Sequence, residues 1–288
     1  GFLVQIPTPT HTVHVLIDPI FSSRSSPSQW FGPRRIIDSP CKVEELPGVD
    51  YVLISHNHYD HLDLESIQGT ILHFPDAKYL VPLGLRQWMI ETGVKEENVF
   101  ELDWWEDIEF EDVRLVCVPA QHNKGRSVGD QGSTLWCGWV VETTKNEERL
   151  AIYHAGDTGY RSADDTCPAF KEIGEKYGPL TASMIPIWRG GSLSFLSTMG
   201  VRLRTHKLTA NIHGDPTDAI DIHIDVRSKN SIGMHFGTFV GTHEEGTEAI
   251  ISLSKILEKR GVKELKRGDK EEDGMGIMDI GETRWFSP

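Results

Sequence analysis

Short apolar runs recur along this chain, and several of them stop at a histidine or an aspartate. The runs are HVLID (14–18), YVLIS (51–55), VRLVCVPA (113–120), TLWCGWVVE (134–142), LAIYHAG (150–156), ASMIPIW (182–188) and SIGMHFG (231–237). Their β-branched and aromatic content, bordered by polar residues and glycine, predicts strands rather than helices. Helices are predicted between them. LGLRQWMIETG (83–93) and CPAFKEIGEKYG (167–178) both end in glycine, a common helix stop. DPTDAIDIHIDV (215–226) offers Asp215 as N-cap with Pro216 at the first helical position, and TEAIISLSKILEKRG (247–261) is amphipathic. Strands and helices mixed in this order predict a layered α/β protein, with one domain over 1–288. The opening GFLVQIP reads as the middle of a strand, so the expectation is that the natural N-terminus, with any targeting information, is missing.

The second of those runs leads straight into ISHNHYDHLD (54–63), where three histidines and two aspartates are crowded together. A solvated turn is the plain reading; a metal site is the other. If the extended backbone persists, His56 and His58 point to one face and can share an ion. Asp60 and His61 then follow on a turn that can aim them at a second ion. A tetrahedral zinc takes about four ligands, so H-x-H-x-D-H supplies half of two sites and other segments must complete them. Candidates stand at the ends of other apolar runs: His122 after VRLVCVPA, Asp157 after LAIYHAG, and His235 within SIGMHFG. A random scatter of histidines would not fall at strand ends, where loops present chemistry on a rigid scaffold. Imidazoles and carboxylates without thiolates suit zinc, with iron or manganese as the next choices. Two such ions can clamp a transferring phosphoryl or acyl group.

Composition narrows the partners. The formal net charge of −14 repels nucleic-acid backbones and gives no long-range attraction to anionic membranes. The four cysteines (Cys41, Cys117, Cys137, Cys167) show no C-x-x-C spacing, so neither a disulfide framework nor a thiolate zinc site is expected, which fits a reducing compartment. No apolar stretch approaches the ~18 residues of a membrane span. SSRSSPSQWFGPRR (22–35) reads as a long surface loop. RGGSLSFLSTMGVRLRTHK (189–207) joins apolar residues (Leu193, Phe195, Leu196, Met199, Val201) to Arg202, Arg204 and Lys207, and is read as a membrane- or substrate-contacting element against the alternative of an ordinary loop.

H-x-H-x-D-H followed by a later His, Asp and His resembles the signature of the metallo-β-lactamase superfamily, whose fold is a four-layer αβ/βα sandwich. Longer blocks resemble one branch, the N-acylphosphatidylethanolamine-hydrolysing phospholipase D enzymes. These are DPIFSSRSSPSQWFGPRR, LISHNHYDHLD, VPLGL, ELDWWE, AGDTGY, CPAFKEIGEKYGP, HGDPTDA and IHIDVRSKNSIGMHFGTF, spread over about residues 18 to 240. The resemblance implies that His56, His58 and His122 bind one zinc, that Asp60, His61 and His235 bind a second, and that Asp157 bridges them. It implies that Asp60 also orients the attacking water, and that His213 stabilises the phosphate or protonates the leaving alkoxide. It further implies a phospholipid substrate cleaved to phosphatidic acid and an N-acylethanolamine, at an intracellular, peripheral membrane location. Between IPI and HGDP the chain is longer than the mammalian enzymes and lacks their short aromatic-rich segment.

No nucleic acid is expected as a partner, and a homodimer is left open. Two other functions compete: a lactonase or acyl-ester hydrolase of a soluble substrate on the same metals, and a lipid-binding scaffold with a vestigial site. The complete ligand set weighs against the scaffold, because buried imidazoles and carboxylates are costly to keep without a metal. Among the other histidines, His223 lies on the apolar face shared by Ala219, Ile220 and Ile224 and is read as a core residue, and His154 as packing within its strand. The tryptophans of DWWE (103–106) are expected to pack between layers.

Overall fold

The computed structural model describes residues 1–111, 113–123, 133–145, 148–161, 165–188, 211–239, 243–268 and 273–287. The 189–207 stretch lies outside them. The chain divides into two units, one of Gly1–Phe31, Asp38–Pro119 and Asn123–Arg149, the other of Gly32–Ile37, Ala120–His122 and Leu150–Pro288.

The first unit holds a mixed five-stranded sheet in the order β1 (Phe2–Pro7), β2 (Thr12–Ile17), β3 (Tyr51–Leu53), β4 (Lys78–Pro82), β5 (Val99–Leu102). β1 and β2 form a hairpin, and the others run parallel, with Ile17 opposite Leu53 and Leu53 opposite Leu80. Parallel strands are buried on both faces, so β3 is apolar throughout and wholly buried. Helix α1 (Leu64–His73) and helix α2 (Arg86–Thr92) belong to this unit. Ile67 and Met89 from these helices join Leu16, Val52, Ile54, Leu62, Tyr79, Val81 and Val99 in one apolar cluster. Asp63 caps α1 by accepting from the Ser66 amide.

Three further strands of this unit, β6 (Asp107–Phe110), β7 (Val113–Val118) and β8 (Gly138–Lys145), pair antiparallel. The run predicted as a strand over 134–142 becomes regular only at Gly138. The reason is local: the Leu135 amide donates to the Leu83 carbonyl and the Cys137 amide to the Ser55 carbonyl, so residues 135–137 bridge loops. Fully buried Trp139 then donates its indole N–H to the Ile54 carbonyl at 3.0 Å. The two carbonyls at the exit of β3 are therefore held before the histidine motif begins. Trp104 and Trp105 are half-buried, and Trp104 packs its ring edge-on against Trp136 and donates its indole N–H to the Trp136 carbonyl.

The second unit is built on parallel strands in the order β12 (Glu264–Leu265), β13 (Gly274–Ile277), β11 (Ser228–Met234), β10 (Leu180–Pro186), β9 (Glu148–His154). Every residue of β10 is buried. Helices α3 (Ala169–Tyr177), α4 (Pro216–Asp225) and α5 (His243–Arg260) complete it. α4 starts as its sequence requires, with Asp215 accepting from the amides of Thr217 and Asp218. α3 and α4 approach through Gly174, where an added Cβ would lie 2.0 Å from the Asp225 carbonyl oxygen, so only glycine fits. The four cysteines are free thiols, and no described helix is long and apolar enough to cross a membrane.

His223 is the core residue its helical position suggested. It is 8% exposed, with Nδ1 2.8 Å from the Ser231 hydroxyl, and burial depresses its pKa from 6.5 to about 4. Above about pH 6.5 the ring is neutral in both folded and unfolded chains. As the pH falls from there towards 4, the unfolded chain takes up a proton that the folded chain refuses, and stability is lost. Urea unfolding of wild type and His223→Gln across this window is expected to show a stability loss in the wild type on the order of 3 kcal/mol that the variant lacks. Parallel pH profiles would contradict the assignment.

Candidate functional site

In the first unit, β3 stops at Leu53 and the motif leaves it along an extended segment into a tight turn, in which the amides of His61 and Leu62 both donate to the His58 carbonyl. The turn gathers the side chains. His56 Nε2 lies 2.9 Å from His58 Nδ1, and the His56 and His61 rings are 4.2 Å apart. The expected sharing of one face by His56 and His58 holds, although the strand itself ends earlier.

Asp18 organises this group, and sequence reading gave it no role. It follows β2, which is parallel to β3 with Ile17 opposite Leu53, and so arrives beside Ser55. Its Oδ1 accepts from the Ser55 amide at 2.7 Å, and its Oδ2 accepts from the Ser55 hydroxyl at 2.7 Å and faces His61 Nδ1 at 2.8 Å. A carboxylate is an acceptor, so His61 carries its proton on Nδ1 and presents the Nε2 lone pair. That atom sits 3.6 Å from Asp60 Oδ2. The Ser55 hydroxyl, its proton given to Asp18, lies 2.9 Å from His56 Nδ1 and accepts from it. One buried aspartate therefore sets the tautomers of two histidines. The only signal in the sequence was that HVLID, like the other runs, ends in a possible ligand type.

The second unit repeats the arrangement around Asp157. His122 Nδ1 lies 2.7 Å from the Ile212 carbonyl oxygen; a carbonyl only accepts, so the proton is on Nδ1 and the lone pair on Nε2. That Nε2 faces Asp157 Oδ2 at 3.7 Å. His235 Nε2 is 3.0 Å and His213 Nδ1 4.0 Å from the same oxygen, with the His213 and His235 rings stacked. Backbone bonds fix the loops that carry them: Gly159 donates to the Gln121 carbonyl, Gly214 to the Thr158 carbonyl, and Gln121 to the Thr158 hydroxyl. His213 is placed by the start of α4, two residues before its cap. His235 stands in the left-handed region at φ 59°, an uncommon conformation for a non-glycine residue that concentrates at functional positions.

A metal fits these groups for a physical reason. In each unit the second ring nitrogen stands 3.6 or 3.7 Å from a carboxylate oxygen, and in the neutral ring that nitrogen offers a lone pair. A cation between them would be met by both donors at once. Two ligand atoms each ~2.1 Å from a tetrahedral ion are ~3.4 Å apart. The donors are imidazole nitrogen and carboxylate oxygen, which suit zinc and other first-row ions. Sequence reading named His56, His58, Asp60 and His61, and the first unit brings them together; it named His122, Asp157, His213 and His235, and the second unit brings these together.

Residues 14–236 match the β-lactamase superfamily domain, so the chain belongs to that superfamily. Two solved structures show the same fold: an isothiocyanate hydrolase from Delia radicum gut bacteria (TM-score 0.65, 16% identity, 99% of this chain and 97% of that one) and a diiron β-hydroxylase from Streptomyces venezuelae (TM-score 0.63, 17% identity, 96% and 51%). The α/β expectation is thus met as the metallo-β-lactamase fold, and the chain is a metal-dependent hydrolase by family.

Within the superfamily it belongs with the N-acyl-phosphatidylethanolamine-hydrolysing phospholipases D. It is 34% identical over 278 residues to such an enzyme from Caenorhabditis elegans, covering 94% of this chain and 70% of the relative. It is 32% identical over 257 residues to the mitochondrial enzyme of that name from Saccharomyces cerevisiae, covering 88% of this chain but only 50% of the relative.

Asp18→Asn would keep the shape of the side chain but remove the charge that holds the proton on His61 Nδ1. Titrating metal-free protein with Zn2+ against a competing chelator is expected to show affinity lowered roughly 10- to 100-fold. Unchanged affinity would contradict a positioning role.

Proposed function

We propose that the two ligand groups act together as one dinuclear centre, and that the chain hydrolyses N-acylphosphatidylethanolamines to N-acylethanolamine and phosphatidic acid. His56, His58, His122 and Asp157 would hold one ion, and Asp60, His61, Asp157 and His235 the other, with Asp157 common to both. Zinc is the expected metal, since the donors are nitrogen and oxygen without thiolate. Two such ions supply Lewis acidity and a nucleophilic water at neutral pH. In the reaction, an oxygen from water forms a bond to phosphorus and the phosphorus–oxygen bond to the N-acylethanolamine breaks, with one proton passing to the departing alkoxide.

The protein's own groups have separate tasks in this reading. Asp60 orients the incoming water through a carboxylate oxygen. His213 stands 4.0 Å from Asp157 and stacks on His235, placed to stabilise the phosphate or to give the proton to the leaving alkoxide. His122 and His61 are held as lone-pair donors by Ile212 and Asp18. The observation that carries the proposal is this pairing of a fixed imidazole with a carboxylate in both units, in a chain 34% identical to an enzyme named for the reaction. An intracellular, peripheral membrane location goes with this reading: one relative is named mitochondrial, the substrate would be a phospholipid, and the sequence of 189–207 is suited to touching lipid.

The test is to incubate purified, metal-loaded chain with N-acylphosphatidylethanolamine and to identify products by mass spectrometry. N-acylethanolamine and phosphatidic acid are expected in equal amounts, and Asp157→Asn is expected to lower kcat roughly a hundredfold or more. Intact metal content with no product from this lipid, but turnover of a lactone or acyl ester, would replace the proposal with the soluble-substrate alternative.

A further inference from the structure

Gln121 precedes the candidate ligand His122 in the second unit and has no part in the proposed chemistry, yet its side chain joins two distant segments of the chain. Its carboxamide nitrogen donates to the Arg161 carbonyl at 3.1 Å and to the Asn211 carbonyl at 3.0 Å, 40 and 90 residues further along. Both partners can only accept, so the –NH2 end of the side chain faces them and both of its hydrogens are used. The backbone of the same residue is tied as well, its amide donating to the Thr158 hydroxyl and its carbonyl accepting from the Gly159 amide.

The segment that Gln121 reaches through Asn211 is the one that carries His213. His213 belongs to neither ligand group, so a metal would not hold it, and its place is set by the backbone around it. Upstream, the Asn211 carbonyl is held by Gln121 and the Ile212 carbonyl by His122 Nδ1 at 2.7 Å. Downstream, the Gly214 amide donates to the Thr158 carbonyl. Arg161, whose carbonyl is the other partner of Gln121, closes the frame from its far side. Its guanidinium donates to buried Asp218 at 2.7 Å and also binds Asp221, both on α4, and Asp218 in turn accepts from the Asp215 amide. His213 therefore lies in a short span pinned on both sides. Of the two upstream pins, Gln121 is the one that is not itself a candidate ligand.

We propose that Gln121 is a positioning residue for His213: one amide group, shared between the Asn211 and Arg161 carbonyls, fixes the His213 ring at its place 4.0 Å from Asp157. The proposal rests on the reading of His213 as the group that meets the phosphate or the leaving alkoxide, and Gln121 acts through that ring rather than on substrate or metal. A misplacement on the order of 1 Å in such a group costs roughly a hundredfold in rate. The demand on residue type is strict. Glutamate has the same shape but would set a carboxylate against two carbonyl oxygens, methionine has the length without a donor, and lysine restores donors through its ammonium group.

Histidine-labelled, zinc-loaded full chain allows the ring itself to be watched by proton–carbon correlation NMR, with the His213 signal assigned by its loss in His213→Ala. That signal is expected to shift or broaden in Gln121→Glu and Gln121→Met and to return towards its wild-type position in Gln121→Lys. The signal of His223, in the core of the same unit, should stay in place in all three. With N-acylphosphatidylethanolamine, kcat should fall roughly 10- to 100-fold in the Glu and Met variants while KM stays within about twofold, and Lys should recover most of kcat. Zinc per chain should match wild type throughout. A His213 signal that stays put in the Glu and Met variants would overturn the proposal. So would joint movement of His213 and His223, or an equal loss of kcat in all three variants, either of which would mark a general structural contact. Loss of zinc from the Glu and Met variants would assign Gln121 to the support of His122 and also overturn it. A wild type that hydrolyses none of this lipid, but whose His213 signal follows the substitutions as expected, would sink the proposed function and leave the positioning role standing.

Discussion

An imidazole held by one nitrogen, with the other turned to a carboxylate, is the arrangement on which the site depends, and this chain builds it twice. His61 Nε2 faces Asp60, and His122 Nε2 faces Asp157, because in each ring the other nitrogen is committed as a donor, to Asp18 and to the Ile212 carbonyl. A neutral, fixed imidazole beside a carboxylate is what a divalent ion needs, since ligation requires the unprotonated nitrogen. Within each unit the surrounding structure keeps the imidazole and its carboxylate from relaxing apart.

The supports are ordinary backbone and packing interactions in unusual density. Trp139 and the Cys137 amide hold the carbonyls at the exit of β3, and the turn that follows closes on the His58 carbonyl. Thr158 receives the Gln121 amide on its hydroxyl and the Gly214 amide on its carbonyl, so the loops bearing His122, Asp157 and His213 are bonded together. α4 begins with a capping box at Asp215, which fixes the chain two residues after His213. Rigid strands and caps supply the precision, and the loops at their ends carry the chemistry.

The parts legible in sequence were those with a local signal. The H-x-H-x-D-H turn, the later histidines and Asp157 could be found because each stands beside an apolar run, and the start of α4 because Asp and Pro occupy the cap and first position. Asp18 was not legible, because its role depends on the parallel pairing of β2 with β3 across more than thirty residues of chain. Helix α1 carries a weaker local signal, because Gly69 and Thr70 lower its propensity. β12, of two residues, is defined only by its neighbour β13. Helix α2 starts at Arg86 rather than 83 because Gly84, at φ 91°, turns the chain first.

If the two ligand groups hold metal as proposed, the number of ions bound per chain shows it. Elemental analysis of purified protein, dialysed against metal-free buffer after loading, should find two equivalents of zinc per chain. Replacing His235 by alanine should bring the count to about one. A wild-type chain that retains none, or a count of two that survives loss of both His122 and His235, would mean that these residues do not form a two-metal site.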